Sequence, residues 1–193
     1  KEAYMTKKET KKILFQDNFS HFPIGEFPFD PDHSATGEYH FITETGYAGN
    51  WINQVCNYTY NGSGPSWIIT EENGNHYMEQ MRIEKNKPHR IFPTLQTGSR
   101  LWFDYSAQVT LRRISTKGCA GLAFCMQNSL NTLVFLLENN YAKLVYRHKE
   151  HVGTLCETPF LHNCDNDYLL SVSIHGEEVI CSINNHDVLK TST

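Results

Sequence analysis

The chain has 193 residues, of which 39% are hydrophobic and 12% aromatic, and its formal net charge is −4. This is enough apolar material for one sizeable core, and the length does not require a second domain. Lys and Arg form no stripe along one face, so the charge pattern argues against nucleic acid and anionic membranes as partners. The sequence has no apolar run of about 18 residues, the length that a membrane-spanning helix needs.

The first twelve residues are predicted to be a residual tag or a flexible tail. Their cationic cluster, Lys7 to Lys12, is interrupted by Glu9, which is typical of a solvated segment. Met5 is followed by Thr-Lys-Lys and no apolar leader is present, so Met5 resembles a native start. A start at Met5 predicts a cytoplasmic protein, and the alternative is a secreted protein whose leader is not part of this sequence.

Ile13–Phe19 is predicted to form the first strand. It is followed by a long irregular region, residues 21–65, that is interrupted by Pro and Gly and rich in Trp and Tyr. Irregular segments of this length in compact domains are either functional or disordered, and the aromatic content argues against disorder. We therefore expect this region to contribute to function.

A hairpin is predicted next. Its strands are Ser66–Thr70 and His76–Gln80, and its tip is Asn73-Gly74, a strong signal for a tight turn. Residues 83–93 are polar and contain Pro, as in a loop. Trp102–Arg112 then has the apolar and β-branched content of a long strand.

From residue 118 to residue 187 the chain is a run of short apolar segments separated by tight turns. The predicted strands are Gly121–Gln127, Thr132–Glu138, Tyr141–Arg147, Leu169–Ile174 and Val179–Ile183. Asn139-Asn140 and Asn184-Asn185 separate them, and Asn tolerates the positive φ that two-residue turns require. The pattern predicts an all-β, antiparallel meander.

Six cysteines are present, and none belongs to a CxxC pair. Cys181 shares a strand face with Val179 and Ile183, which predicts a buried free thiol. Cys156 and Cys164 flank a loop and could be bridged in an oxidising compartment.

The order of these segments resembles the concanavalin A-like, laminin-G-like jelly-roll superfamily. The matching pieces are Leu14-Phe15-x-Asp17-x-Phe19-Ser20, the Trp67 strand with its Asn-Gly turn, Phe103-Asp-Tyr105, Gly121-Leu-Ala-Phe124 and the hairpins at 133–147 and 168–189. The resemblance implies a jelly-roll β-sandwich of two antiparallel sheets over residues 13–193. Domains of this type are common in bacterial carbohydrate-active proteins, where many are accessory modules.

Two departures from the superfamily pattern affect what can be carried over. Relatives usually close the sandwich with another strand pair, whereas this sequence ends at Thr193. The missing strands are therefore expected from a longer protein or from a second chain. Relatives often have an Arg where Cys125 stands, so no catalytic or ligand role is carried over to that position.

Sugar recognition on such a fold needs a flat apolar surface beside amide and charged groups. Trp51 is predicted as the stacking platform, with Tyr47, Asn53 and Tyr58 around it. The alternative is that Trp51 folds back to cap one end of the sandwich. Arg147 is predicted as a donor to a uronate carboxylate, and the alternative is an exposed strand charge.

The resemblance also implies a structural calcium ion near the first strand. Asp17, Asp30 and Asp32 offer oxygen ligands for it. Each of these residues could equally be an ordinary turn aspartate.

No pair of acids for glycoside hydrolysis is evident in the sequence. Glu71-Glu72 and Glu177-Glu178 fall at predicted hairpin tips, and Glu138 is a lone candidate. The leading hypothesis is a non-catalytic carbohydrate-binding or accessory module of a larger polysaccharide-degrading protein. Its partners are an oligosaccharide or polysaccharide and a neighbouring catalytic domain or second chain. The alternatives are part of a lyase or glycoside hydrolase for uronic-acid- or rhamnose-containing oligosaccharides, and a purely structural interaction domain.

Overall fold

The structure is a computed structural model, and it describes residues 12–26, 51–53, 67–81, 94–99, 101–128, 131–149 and 151–192. Within these ranges the regular secondary structure is thirteen β-strands without a helix, so the predicted all-β class is confirmed. In chain order the strands are β1 (Gly25–Glu26), β2 (Ile52–Asn53), β3 (Trp67–Glu72), β4 (Asn75–Gln80), β5 (Leu95–Gln96), β6 (Ser106–Arg112), β7 (Cys119–Asn128), β8 (Asn131–Glu138), β9 (Tyr141–His148), β10 (His151–Pro159), β11 (Asp167–His175), β12 (Glu178–Ile183) and β13 (His186–Ser192).

Two antiparallel sheets of four strands dominate the fold. Sheet I has the strand order β10-β9-β8-β7, and sheet II has the order β13-β12-β11-β6. Sheet I is a meander of consecutive strands, whereas β6 joins sheet II beside β11. The segment predicted as one meander is therefore divided between the sheets after β10. Two smaller antiparallel sheets, β1-β3-β4 and β2-β5, complete the described part.

The two large sheets pack face to face as a β-sandwich, which confirms the predicted fold class. Their inner faces share one cluster of buried side chains, in which Phe135, Leu137 and Leu144 of sheet I meet Leu170 and Cys181 of sheet II. Burial of one such apolar side chain stabilises the fold by about 1.5–3 kcal/mol. Alternation along β11 places every second residue from Tyr168 to Ile174 in this core, and β9 contributes Ala142 and Leu144 in the same way.

Asparagine pairs form the tightest hairpins, as predicted. Asn139 and Asn140 have φ values of 49° and 63°, and Asn184 and Asn185 have values of 50° and 65°. Positive φ at both central residues gives the turn a twist that matches the flanking strands. The tip of the β3–β4 hairpin, at residues 73 and 74, has the same signature.

Glycine is required at position 121 of β7 for a different reason. A Cβ atom built there would lie 2.2 Å from the carbonyl oxygen of Phe135 and 2.7 Å from the Cα of Leu136. Since both contacts are with strand β8, any side chain at this position would push the two strands apart.

Three edge strands of the large sheets contain extra residues relative to their partners. Three residues of β7, Cys125 to Gln127, face a single residue of β8, and Cys125 has a φ of 49°. Leu155 is the extra residue of β10, and Val188 is the extra residue of β13. Such bulges bend a strand and interrupt its ladder of hydrogen bonds.

The prediction of a strand at Ile13–Phe19 is wrong. The segment belongs to no ladder among the described residues. The segment nevertheless alternates in burial as a strand would, because residues 15, 17 and 19 are half-buried while their neighbours are exposed. The side chains of these three residues contact Trp51 or each other instead of a sheet partner.

The predicted strand Trp102–Arg112 is too long, because β6 begins only at Ser106. Asp104 has a φ of 49°, which turns the chain before the ladder starts. The Oδ1 atom of Asp104 accepts a hydrogen bond from the Gly176 amide at 2.7 Å, and this bond fixes the turn. Four described strands were not predicted, namely β1, β2, β5 and β10, and neither was the part of β13 beyond Leu189.

A buried arginine links the two connections at one end of the sandwich. Arg113, which follows β6, is 5% exposed, and its guanidinium donates to His162 Nε2 and to the carbonyls of Thr116 and Gly118. The other ring nitrogen of His162, Nδ1, donates to the carbonyl of Phe160 at 3.1 Å. His162 therefore joins the buried Arg113 guanidinium to the connection between β10 and β11.

The hairpin β3–β4 is tied to sheet II by an exposed ion cluster. Arg112 donates to Glu72 at 2.8 Å and to Asp167 at 2.7 Å. The hydrogen bond from Arg112 lowers the pKa of Asp167. A carboxylate whose pKa is lower in the folded state than in the unfolded state stabilises the fold at any pH above its unfolded-state pKa. This stabilisation is lost as the pH falls through the folded-state pKa.

We therefore expect Asp167→Asn to cause a small fall in the urea midpoint at pH 7, within the range of an exposed ion pair. The difference from the wild type should shrink on acidification below about pH 4, since the wild-type carboxylate then becomes protonated as well. Urea unfolding at a series of pH values measures this directly. A difference that stays constant with pH would contradict the assignment.

No helix with the length and apolar character of a membrane span occurs in the part of the chain that the structure describes. The five described cysteines are free thiols, Cys156 and Cys164 among them, and Cys56 lies outside the described residues. Cys181 is buried, as predicted, and burial raises the pKa of its thiol to about 12.

Candidate functional site

The first candidate site is the Trp51 cluster, which we define as Phe15, Asp17, Phe19, Trp51 and His76. Trp51 is half-buried just before β2, and its Nε1 donates to Asp17 Oδ2 at 2.7 Å. The Trp51 ring centroid lies 5.5 Å from that of Phe15 and 5.4 Å from that of Phe19. The indole is therefore held both at its polar edge and by two aromatic neighbours.

The turn that contains Phe19 is fixed by hydrogen bonds. Phe19 has a φ of 62°, an unfavourable conformation for a bulky side chain. Its amide donates to Asp17 Oδ1 at 2.7 Å, and its carbonyl accepts from His76 Nδ1 at 3.2 Å and from the Phe22 amide at 3.0 Å. These contacts connect the turn to β4 and hold it in position beside Trp51.

The structure brings together two residues that the sequence assigned to different sites. Asp17, a candidate calcium ligand, is the hydrogen-bond acceptor of Trp51, the candidate sugar platform. Both carboxylate oxygens of Asp17 already accept from N–H groups, and its side chain is only 6% exposed. These contacts fit an anchor for Trp51 better than a calcium site. Asp30 and Asp32 lie outside the described residues, and no metal-binding group of three ligands is found within them.

Trp51→Phe should lower the free energy of unfolding by about 1–2 kcal/mol, because the nearly buried Asp17 carboxylate loses an N–H donor. Chemical denaturation followed by circular dichroism measures the change. Asp17→Asn should make the Trp51 substitution less costly, since the bond is no longer charge-assisted. Equal stability of Trp51→Phe and wild type would show that the bond contributes nothing.

The other predicted sugar contacts are not gathered around Trp51 by the described residues. Tyr47 and Tyr58 lie outside those residues. Asn53 is in β2, where its backbone pairs with Leu95, and its side chain is not described. Arg147 is half-buried near the end of β9, and its Nε donates to the Lys149 carbonyl at 3.4 Å.

A second candidate site lies on the outer face of sheet I. We define the Tyr141 cluster as Glu138, Tyr141, Lys143 and Glu157, which come from three adjacent strands. Lys143 Nζ lies 3.0 Å from Glu138 Oε2, 3.6 Å from Glu157 Oε2 and 5.7 Å from the centroid of the Tyr141 ring. The Tyr141 residue is 39% exposed. The cluster thus presents an aromatic ring beside an ordered group of charges.

Strand geometry explains why these side chains meet. Ala142 and Leu144 are fully buried in the core, so Tyr141 and Lys143 must project outwards. Glu138 is paired with Tyr141 across β8–β9, and Glu157 is paired with Lys143 across β9–β10. Oppositely charged side chains in such positions are within contact distance.

The ion pairs determine the charge state of the cluster. The hydrogen bond from Lys143 to Glu138 raises the pKa of the lysine, so it remains an ammonium ion at neutral pH. Cys119 of β7 is paired with Glu138 of β8. Its thiol has a raised pKa, mainly because of desolvation and secondly because of the nearby Glu138 charge. The thiol is therefore neutral at pH 7.

The outer face of sheet I beside the cluster is apolar. Val134 and Val145 are paired on the outer face and are half-buried. Leu136 lies opposite Lys143 and is 7% exposed although it is outside the sandwich core. On β7 the outward positions 121 and 123 are Gly and Ala, which leaves this side of the cluster free of bulky side chains.

The cluster suits binding better than hydrolysis. Glu138 was a lone candidate in the sequence, and the structure adds Glu157 as a second carboxylate. A protonated lysine lies between them and pairs with each, whereas a glycosidase keeps one of its two acids protonated as a proton donor. Sequence reasoning missed this cluster because Glu157 lies in β10, a strand that it did not predict.

Comparisons with known proteins add little. Among solved structures, the carbohydrate binding module CBM66 from Bacillus subtilis matches with a TM-score of 0.45 and 11% sequence identity. The match covers 48% of this chain and 60% of that module, so it extends over less than two thirds of the module. At this TM-score the likeness assigns neither fold nor function. No family model and no curated protein matches the chain.

Proposed function

We propose that the chain is a non-catalytic carbohydrate-binding or accessory module that contacts glycan through the outer face of sheet I. The observation that supports this proposal is the Tyr141 cluster, in which a partly exposed ring lies next to a lysine held by two carboxylates. The proposal includes the concanavalin A-like type of sandwich and membership in a larger carbohydrate-active protein.

A sugar ring has an apolar face of C–H groups and a rim of hydroxyls. The Tyr141 ring offers apolar contact to the face of one sugar, and Val134 and Val145, four residues further along β9 and its partner, offer it to the next. The Glu138 and Glu157 carboxylates accept hydrogen bonds from hydroxyls, and Lys143 donates them. Because the ion pairs already fix these side chains in position, little side-chain entropy is lost when a sugar binds.

The Trp51 cluster is a second proposed contact with sugar. The Nε1 atom of Trp51 is already bonded to Asp17, so any contact with sugar uses the ring face. Tyr47, Asn53 and Tyr58 are proposed contacts of the same kind around Trp51.

The test is titration with a panel of oligosaccharides by isothermal calorimetry. For whichever glycan binds, Tyr141→Ala should weaken the affinity by about tenfold, the loss expected for a central aromatic contact. Tyr77→Ala is the matched control, since Tyr77 is on β4 and is 38% exposed. Equal affinities for the two variants would rule out the Tyr141 cluster, and a panel without any binder would rule out the function.

One observation favours the alternative of a structural interaction domain. Leu101 is 69% exposed and Phe103 is 83% exposed, on a turn that Asp104 fixes to the β11–β12 hairpin. Large apolar side chains held in solvent are typical of contact surfaces between proteins. This alternative predicts that no oligosaccharide of the panel binds.

A further inference from the structure

We propose that the Tyr141 cluster selects uncharged glycans and disfavours uronates. This inference rests on the proposed function and names the substrate class of the same site. It differs from the uronate contact that Arg147 suggested in the sequence.

The charges of the cluster support this selection. Glu138 and Glu157 both contact the single ammonium group of Lys143, at 3.0 Å and 3.6 Å. The cluster therefore carries one uncompensated negative charge. Both carboxylates are partly exposed, with 35% and 47% of the side-chain area accessible, so a ligand can reach them.

The other groups on this face do not reverse the balance. The Cys119 thiol has a raised pKa, chiefly because of desolvation, and is neutral at pH 7. Arg147 shares the outward row of β9 but is six residues from Tyr141, or about 20 Å along a strand. Arg113, at the end of the sandwich, is close enough for its charge to act on the Cys119 thiol, but it is 5% exposed and donates to His162 and to two carbonyls, so a ligand does not contact it.

Neutral sugars and uronates differ in the groups that they present to the two carboxylates. Hydroxyl groups donate hydrogen bonds, and carboxylates accept them strongly. A uronate would place a further carboxylate next to Glu138 and Glu157, and it would compete with them for Lys143. The uronate carboxylate and the glutamate carboxylates would repel each other, and solvent would reduce this repulsion without removing it.

The experiment compares tetramers of glucose, mannose, galactose and xylose with a tetramer of galacturonic acid, by calorimetry at low ionic strength. At least one neutral tetramer should bind, and galacturonate should bind at least threefold more weakly than the best of them. Galacturonate binding that equals or exceeds neutral binding overturns this inference and leaves the proposed function in place. A panel in which nothing binds overturns both.

Glu157→Gln tests the charge directly. It should strengthen galacturonate binding by about two- to fivefold, the range of an exposed charge pair, and change neutral binding less. Glu178→Gln is the matched control, because Glu178 contacts Lys190 at 2.6 Å on sheet II, away from the cluster. Equal effects of the two substitutions on galacturonate binding would show that the cluster does not set the selectivity.

Discussion

Phe135→Ala should lower the free energy of unfolding by about 3–5 kcal/mol, the usual cost of removing a buried aromatic ring. Phe135 is fully buried on β8, in the centre of the cluster shared by the two sheets. Because small domains are stable by only about 5–15 kcal/mol, the variant should lose much of its total stability. Urea unfolding monitored by fluorescence measures the loss.

Val134→Ala is the matched control, because Val134 is the preceding residue on the same strand and faces outwards. Its cost should stay below about 1.5 kcal/mol, as for small apolar truncations at half-buried positions. If Phe135→Ala does not fold, Phe135→Leu provides a milder version of the same test. Equal costs at positions 134 and 135 would contradict the assignment of inner and outer faces.

His162→Ala should lower the free energy of unfolding by about 2–4 kcal/mol, since it leaves a buried guanidinium N–H without its acceptor. His162 is 8% exposed and also packs against the rings of Phe160 and Tyr168, so its removal leaves a gap. The loss of stability should be local to this end of the sandwich. Faster amide hydrogen exchange in the β6–β7 and β10–β11 connections would show it.

A glutamine at position 162 distinguishes the hydrogen bond from the packing. The carbonyl of Gln can accept from Arg113, so His162→Gln should recover about half of the stability that His162→Ala loses. His162→Leu restores volume but not the acceptor, and it should remain close to His162→Ala. Equal stability of the Gln and Leu variants would show that the Arg113 contact is unimportant.

Local sequence signals were sufficient for the strands of the sandwich that have regular alternation. The Asn139-Asn140 and Asn184-Asn185 turns require positive φ, which few residues other than Asn and Gly adopt easily, so their positions were predictable. The strands β8, β9, β11 and β12 follow from the apolar segments between such turns.

Where prediction failed, the cause was a contact distant in sequence or a break in the alternation. Residues 15, 17 and 19 alternate as in a strand, but their partner is Trp51 rather than a neighbouring strand. Strand β10 escaped notice because Leu155 is an extra residue that shifts the pattern halfway along. Strand propensity depends on a residue and its nearest neighbours in sequence. It therefore reports neither a contact with a distant residue nor an extra residue that shifts the register.

The candidate site was harder to predict than the fold. Trp51 and Asp17 were both singled out, but their hydrogen bond spans 34 residues and could not be inferred from spacing. The Tyr141 cluster depends on the register of β9 against β10, which decides that Lys143 lies opposite Glu157. A shift of one residue would have placed that carboxylate on the other face of the sheet.

The bulges of β7, β10 and β13 have a consequence for how the protein behaves at high concentration. A straight, unpaired strand is a template on which another molecule can add its own strand, and repeated addition leads to fibres. In this chain the extra residues fall on the outermost strands themselves. The irregular rims of these three strands do not offer the continuous row of amides and carbonyls that such growth needs, so of the four outermost strands of the two large sheets only β6 has a regular ladder.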